Sequence, residues 1–116
     1  MRTVLIVDDH DGFRQRARAL LEADGFSVLG EATSGATAIE AAAALHPELV
    51  LLDVQLPDLD GFEVARRLHA ADGALAVVLT SSRDASDYGV LIPDSPARGF
   101  VPKAELSGTA IEALLE

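Results

Sequence analysis

Two adjacent acids, Asp8 and Asp9, follow the unbroken apolar run of Val4, Leu5, Ile6 and Val7, and Asp53 closes a second such run. Carboxylates gathered at the ends of buried strands repel one another unless a cation or protons relieve them. With carboxylate oxygens, a backbone carbonyl and water as donors, the matching ion is hard, and Mg²⁺ in a partly hydrated octahedral site suits the set. After Asp53 the chain reads "VQLPDLDGFEV", where Pro57 and Gly61 impose a turn that would hold Asp53 exposed and offer the carbonyl of Gln55 to the ion. A further apolar run ends in Thr80, Ser81 and Ser82, and Lys103 follows the last one. Carboxylate nucleophile, divalent cation, hydroxyl donor and ammonium together make a site for accepting a phosphoryl group, the cations neutralising its equatorial oxygens.

Each residue alone has a plainer reading. An Asp after a strand often caps a helix, and Asp11 is the expected cap of the first one. A single loop Lys is usually a solvated charge, and a Thr at a strand end is usually turn chemistry. Their arrival in order, on the right strands, carries the argument.

The elements that must position them follow from periodicity. Strands are expected at 3–8, 27–32, 48–53, 75–80 and 98–101, each apolar enough to be buried on both faces. Between the first two, Phe13, Ala17, Leu20 and Leu21 make one helical face, with Gly25 as the stop. The next helix, "GATAIEAAAALH", is capped by Thr33 or Ser34 and ended by Pro47; the third, "GFEVARRLHAA", turns Phe62, Ala65 and Leu68 inward. A last helix over roughly 105–115 buries Ile111, Leu114 and Leu115. The fourth crossover, "SSRDASDYGVLIPDSPARG", contains Gly89, Pro93, Pro96 and Gly99, so a short or distorted helix and an irregular loop are expected there. Strand–helix alternation with apolar strands implies a parallel sheet covered on both faces, with ligands at the carboxyl ends of the strands.

Composition narrows the classes. The 116 residues are expected to form one domain, and an apolar content of 49% with mean hydropathy +0.25 excludes a disordered chain. The absence of cysteine excludes disulfides and Cys-bound zinc. At net charge −10 the domain is not expected to grip nucleic acid by itself; it suits a cation or a basic partner. The N-terminus is neither a signal peptide nor a membrane span, so a cytoplasmic location without membrane attachment is expected. His10, His46 and His69 are dispersed; the last two are expected to face solvent, His10 at most borders the site, and none is taken as a metal ligand.

The pieces "VLIVDD", "LVLLDVQLPDLDGFEV", "AVVLTSS" and "ARGFVPKAEL" together resemble the receiver (CheY-like) domain of bacterial two-component response regulators, over residues 1–116. The resemblance implies an α/β fold: a doubly wound, five-stranded parallel sheet of order 2-1-3-4-5, flavodoxin-like, here with an irregular or shortened fourth helix. It makes Asp53 the phosphoryl acceptor and gives Asp8, Asp9, Asp53 and the Gln55 carbonyl to Mg²⁺. Thr80 becomes the switch hydroxyl, Lys103 the contact to the phosphoryl oxygens, and Phe100 the aromatic switch position. Gln55 and Ser82 fall where the lifetime of the acyl phosphate is tuned. The implied partners are a sensor histidine kinase and a second copy of the chain, with transcription controlled through an effector domain outside this chain. Such a domain catalyses only its own phosphoryl transfer and is not otherwise an enzyme. The C-terminal part is similar to regulators of the NarL/LuxR type.

Departures from the pattern set further expectations. Phe100 lacks a tyrosine hydroxyl, "TSS" leaves Ser81 as an alternative to Thr80, and the irregular fourth crossover shifts output toward the first or last helix. Two rival readings are a receiver fold used as an unphosphorylated binding module and an aspartyl-nucleophile Mg²⁺ phosphatase. The second is opposed by Gln55, which stands where such phosphatases need an acid to protonate the leaving group. A flavodoxin is set aside because "DDHDG" is acidic where a phosphate cradle is needed.

Overall fold

A computed structural model describes residues 1–116. Five strands, β1 (Thr3–Val7), β2 (Ser27–Ala32), β3 (Leu49–Asp53), β4 (Ala76–Ser81) and β5 (Gly99–Pro102), form one sheet in the order β2-β1-β3-β4-β5. Every pairing is parallel. Four helices connect or follow them: α1 (Asp11–Ala23), α2 (Gly35–Leu45), α3 (Gly61–Ala71) and α4 (Gly108–Leu115). None is long and apolar enough to cross a membrane.

Strand side chains alternate between faces, so each apolar strand feeds two cores. Leu5, Val7, Val50, Leu52 and Leu79 pack with Ala38, Ala42, Phe62, Ala65 and Leu68 of α2 and α3. Val4, Ile6, Leu49, Leu51 and Val78 pack on the other face with Phe13, Ala17 and Leu21 of α1 and Ile111 of α4. The central strands have no exposed face, which is why they read as continuous apolar runs rather than alternating ones.

The helix ends show what the local sequence dictates. Ser34 caps α2 through the Thr37 amide, with Thr37 completing a capping box. Asp60 caps α3 through the Glu63 amide and Ser107 caps α4 through the Ala110 amide. Gly25 follows α1 at φ +94°, a conformation that favours glycine.

Three expectations need correction. Asp11 is not the cap of α1: the cap position is His10, without a side-chain cap bond. Its amide is instead taken by Asp8 Oδ1, and Asp11 spends its carboxylate on Arg14 and Gln15. Leu20 is exposed rather than inward, because the buried stripe is the strict i, i+4, i+8 set of Phe13, Ala17 and Leu21. The last helix starts at Gly108, not near 105; Lys103–Glu105 form a 3-10 turn, and Leu114 and Leu115 are only half-buried. The fourth crossover is as irregular as its glycines and prolines led us to expect, with 3-10 turns at Ala85–Asp87 and Gly89–Leu91 in place of an α-helix.

Candidate functional site

β1 and β3 are neighbours in register, so Asp8, one residue beyond β1, and Asp53, the last residue of β3, meet at the carboxyl edge of the sheet. Asp53, expected to be held exposed by the turn that follows it, is buried at 2% exposure, and Asp8 has no exposed surface. Asp9 stays exposed. Asp8 is held from several sides: Oδ1 accepts the His10 amide at 2.8 Å and lies 3.0 Å from His10 Nδ1. Its carbonyl accepts from Arg14 Nη1 at 2.8 Å. Asp53 Oδ1 accepts the Gln55 amide at 3.2 Å, so the turn after β3 fixes the carboxylate. That turn is closed by an antiparallel bridge between Gln55 and Asp60.

Lys103 enters from beyond β5. Its ammonium stands 2.6 Å from Asp8 Oδ2 and 3.4 Å from Asp53 Oδ2. The Asp8 contact lies outside hydrogen-bond geometry, leaving Oδ2 buried with a neighbouring charge but no directional donor. The same ammonium lies 4.4 Å from the centre of the Phe13 ring, a cation–π contact that places it from the α1 side. Burial pushes the Asp53 carboxyl up to about 6, with the charge of Asp8 adding to the rise; the Gln55 amide and Lys103 act against it.

A divalent cation fits this geometry. Carboxylate oxygens of Asp8, Asp9 and Asp53, with a ring nitrogen of His10, lie within 4.8 Å of one another, and the undonated Asp8 Oδ2 is the kind of oxygen that a cation satisfies. His10, expected at most to border the site, is therefore in it, 3.2 Å from Asp9 Oδ1 as well.

The hydroxyls divide. Thr80 pairs across the strands with Asp53, but its buried Oγ1 donates to the Val101 carbonyl at 2.7 Å. Ser81 Oγ bonds instead to the Tyr88 hydroxyl at 2.7 Å and accepts the Arg83 amide. Ser82 and the Gln55 side chain face solvent. Phe100 is half-buried, its ring centre 5.9 Å from that of Tyr88.

Residues 4–115 match the response regulator receiver domain. The chain belongs to that family. The receiver is 39% identical over 102 residues to the transcription regulator BvgA of Bordetella pertussis, covering 88% of this chain and 49% of the relative. It is 30% identical over 110 residues to the DNA-binding transcriptional activator EvgA of Escherichia coli K12, covering 95% and 54%. The chain thus spans about half the length of the curated relatives it matches. Among solved structures, a LuxR-family response regulator from Aurantimonas sp. SI85-9A1 superposes with TM-score 0.90 at 30% identity, covering 99% of this chain and 85% of that one. The signal receiver domain of NarL from Mycobacterium tuberculosis gives 0.86 at 29% identity, covering 98% and 96%.

Four residues of this receiver's site region escaped the sequence reading. Phe13 reads as core, and nothing local says that Lys103 lies over it. His10 was set aside because the other histidines are far away. Tyr88 lies in the least regular segment; its being the only tyrosine was the one available signal. Asp58 reads as a turn residue, yet it receives the Gly35 and Ala36 amides at the start of α2.

Proposed function

We propose that this receiver is a phosphorylation-dependent switch of a two-component system, accepting a phosphoryl group on Asp53 from a sensor histidine kinase. The observation that carries the reading is the meeting of Asp53, Asp8 and Lys103 at one sheet edge, with the Asp53 carboxyl held close to neutral pH by burial. At pH 7 the carboxylate is mostly ionised and held by the Gln55 amide. One of its oxygens attacks phosphorus while the bond from phosphorus to the donor nitrogen breaks. The electron pair returns to that nitrogen, and the imidazole leaves neutral because its other nitrogen carries a proton. Asp8, Asp9, Asp53 and the Gln55 carbonyl would hold Mg²⁺, whose chemistry there is to neutralise charge on the phosphoryl oxygens.

Lys103 swings from the two carboxylates to a phosphoryl oxygen, with Phe13 behind it as a fixed rest. Thr80 gives up the Val101 carbonyl and donates to another phosphoryl oxygen, and the populations of the two hydroxyl positions are the switch. Gln55 and Ser82, both at the solvent boundary, set how water reaches the acyl phosphate. Because the regulators it matches are transcription regulators about twice its length, the output proposed is control of transcription through a segment outside this chain, with a homodimer as the assembly to test.

The test is intact mass after incubation with acetyl phosphate, with Mg²⁺ or with excess EDTA, on this chain and on Asp53→Asn. The expected result is a single phosphoryl gain that needs the metal and is lost in the variant. No gain under any condition would favour a receiver fold used as an unphosphorylated binding module.

A further inference from the structure

Between residues 82 and 91 every position is exposed except Tyr88, so this stretch of the fourth crossover is anchored through one side chain. Its other bonds are local, backbone ones such as Tyr88 to Ala85 and Leu91 to Tyr88, and that of the Arg83 amide to Ser81 Oγ. A segment held this way belongs to the low-stability end of a fold. The anchor has two attachments. Its hydroxyl bonds Ser81 Oγ at 2.7 Å, and Ser81 is a buried residue of β4 next to Thr80. Its ring sits edge-on to Phe62 at 5.7 Å and tilted against Phe100 at 5.9 Å.

We propose that Tyr88 is the positioning residue that transmits phosphorylation of Asp53 to the fourth crossover, through its hydroxyl on Ser81 and its ring on Phe100. The inference rests on the proposed phosphoryl chemistry. When Thr80 turns from the Val101 carbonyl toward a phosphoryl group, the residue before Ser81 in β4 and the residue after Phe100 in β5 lose the side-chain bond between them, while the backbone ladder of the two strands remains. Tyr88 is attached beside both of them, with its ring edge on Phe62 as the third contact. Packed elements rearrange between discrete positions rather than deform smoothly, so the ring releases or reseats as a unit. The hydroxyl that Phe100 lacks is thereby supplied from the other side of the contact. The crossover, expected from its sequence to be a poor route for output, becomes the part of the surface that responds, carrying the exposed Val90 and Leu91 with it.

The chain has one tyrosine and no tryptophan, so its tyrosine emission reports Tyr88 alone. The experiment follows acrylamide quenching of that emission in the unmodified chain. In the unmodified chain and in Tyr88→Phe it also follows hydrogen exchange of residues 82–92. Both are read before and after acetyl phosphate with Mg²⁺, with phosphoryl gain measured by intact mass in the same samples. Phosphorylation should raise the quenching and speed exchange of the segment about fivefold, the population shift expected from loss of one ordinary hydrogen bond. Tyr88→Phe should take up the phosphoryl group, exchange fast from the start and gain little more.

A phosphorylated chain with unchanged quenching and exchange overturns the inference and leaves the switch chemistry standing. A Tyr88→Phe variant that responds like the unmodified chain overturns the hydroxyl link. Absence of any phosphoryl gain overturns both readings together.

Discussion

Lys103 Nζ lies 2.6 Å from Asp8 Oδ2, a contact between residues ninety-five positions apart in the chain. With Asp53 Oδ2 at 3.4 Å, the ammonium partly balances two buried carboxylates. Buried charges are tolerated only when paired in this way.

Replacing Lys103 with Ala should leave Mg²⁺ binding in place, or strengthen it, by removing a competing positive charge. The conformational response to phosphorylation should be lost, because nothing then draws on the phosphoryl oxygens from the β5 side. Titration calorimetry with Mg²⁺, together with hydrogen exchange of the phosphorylated variant, checks both halves. A response that survives would refute the role given to Lys103.

Asp53 sets a pH dependence of stability. Its carboxyl lies at about 6 in the folded chain against an ordinary value of 3.8. Between those values the folded state binds more protons than the unfolded one, so stability falls as pH rises through the window and stays lower above it. Asp53→Asn should remove that slope and stabilise the metal-free chain at neutral pH by about 1–3 kcal/mol. Urea titrations of both chains from pH 4 to 7 measure it, and an equally steep slope in the variant would locate the effect elsewhere.

Asp58 reaches out of the β3–α3 turn to accept the first two amides of α2, Gly35 at 2.7 Å and Ala36 at 3.0 Å. Those bonds hold its carboxyl below the usual carboxylate range. Asp58→Ala should lower Tm and speed exchange of the Gly35 and Ala36 amides, while Asp58→Asn should keep part of the protection. Amide exchange by NMR decides it.

Gly61 opens α3 where a Cβ would stand 2.5 Å from the Asp53 carbonyl oxygen and 2.7 Å from Val54 Cα. Both are backbone atoms of the acceptor turn and cannot step aside singly. Gly61→Ala should cost about 1–3 kcal/mol by overpacking and slow phosphoryl uptake by displacing Asp53. Chemical denaturation and the rate of mass gain with acetyl phosphate test the two effects separately.

Much of this protein was legible from local pattern. Runs such as Val4 to Val7 and Leu49 to Leu52 can be buried on both faces only in a covered parallel sheet. Such a sheet puts Asp8, Asp53, Thr80 and Lys103 at one edge, the carboxyl ends of its strands. Gly89, Pro93 and Pro96 marked the crossover where no α-helix forms. Other features depended on which distant segments share a face and where side chains point once packed. Register between β1 and β3 brought Asp8 beside Asp53 and buried both, where the turn alone had suggested an exposed Asp53. The Lys103 ammonium rests over Phe13, Thr80 turns to Val101, and the lone tyrosine meets Ser81 and Phe100. Periodicity along a chain specifies the face of an element. The partner across that face is decided only when the whole core is packed, because close packing leaves each side chain few positions to take.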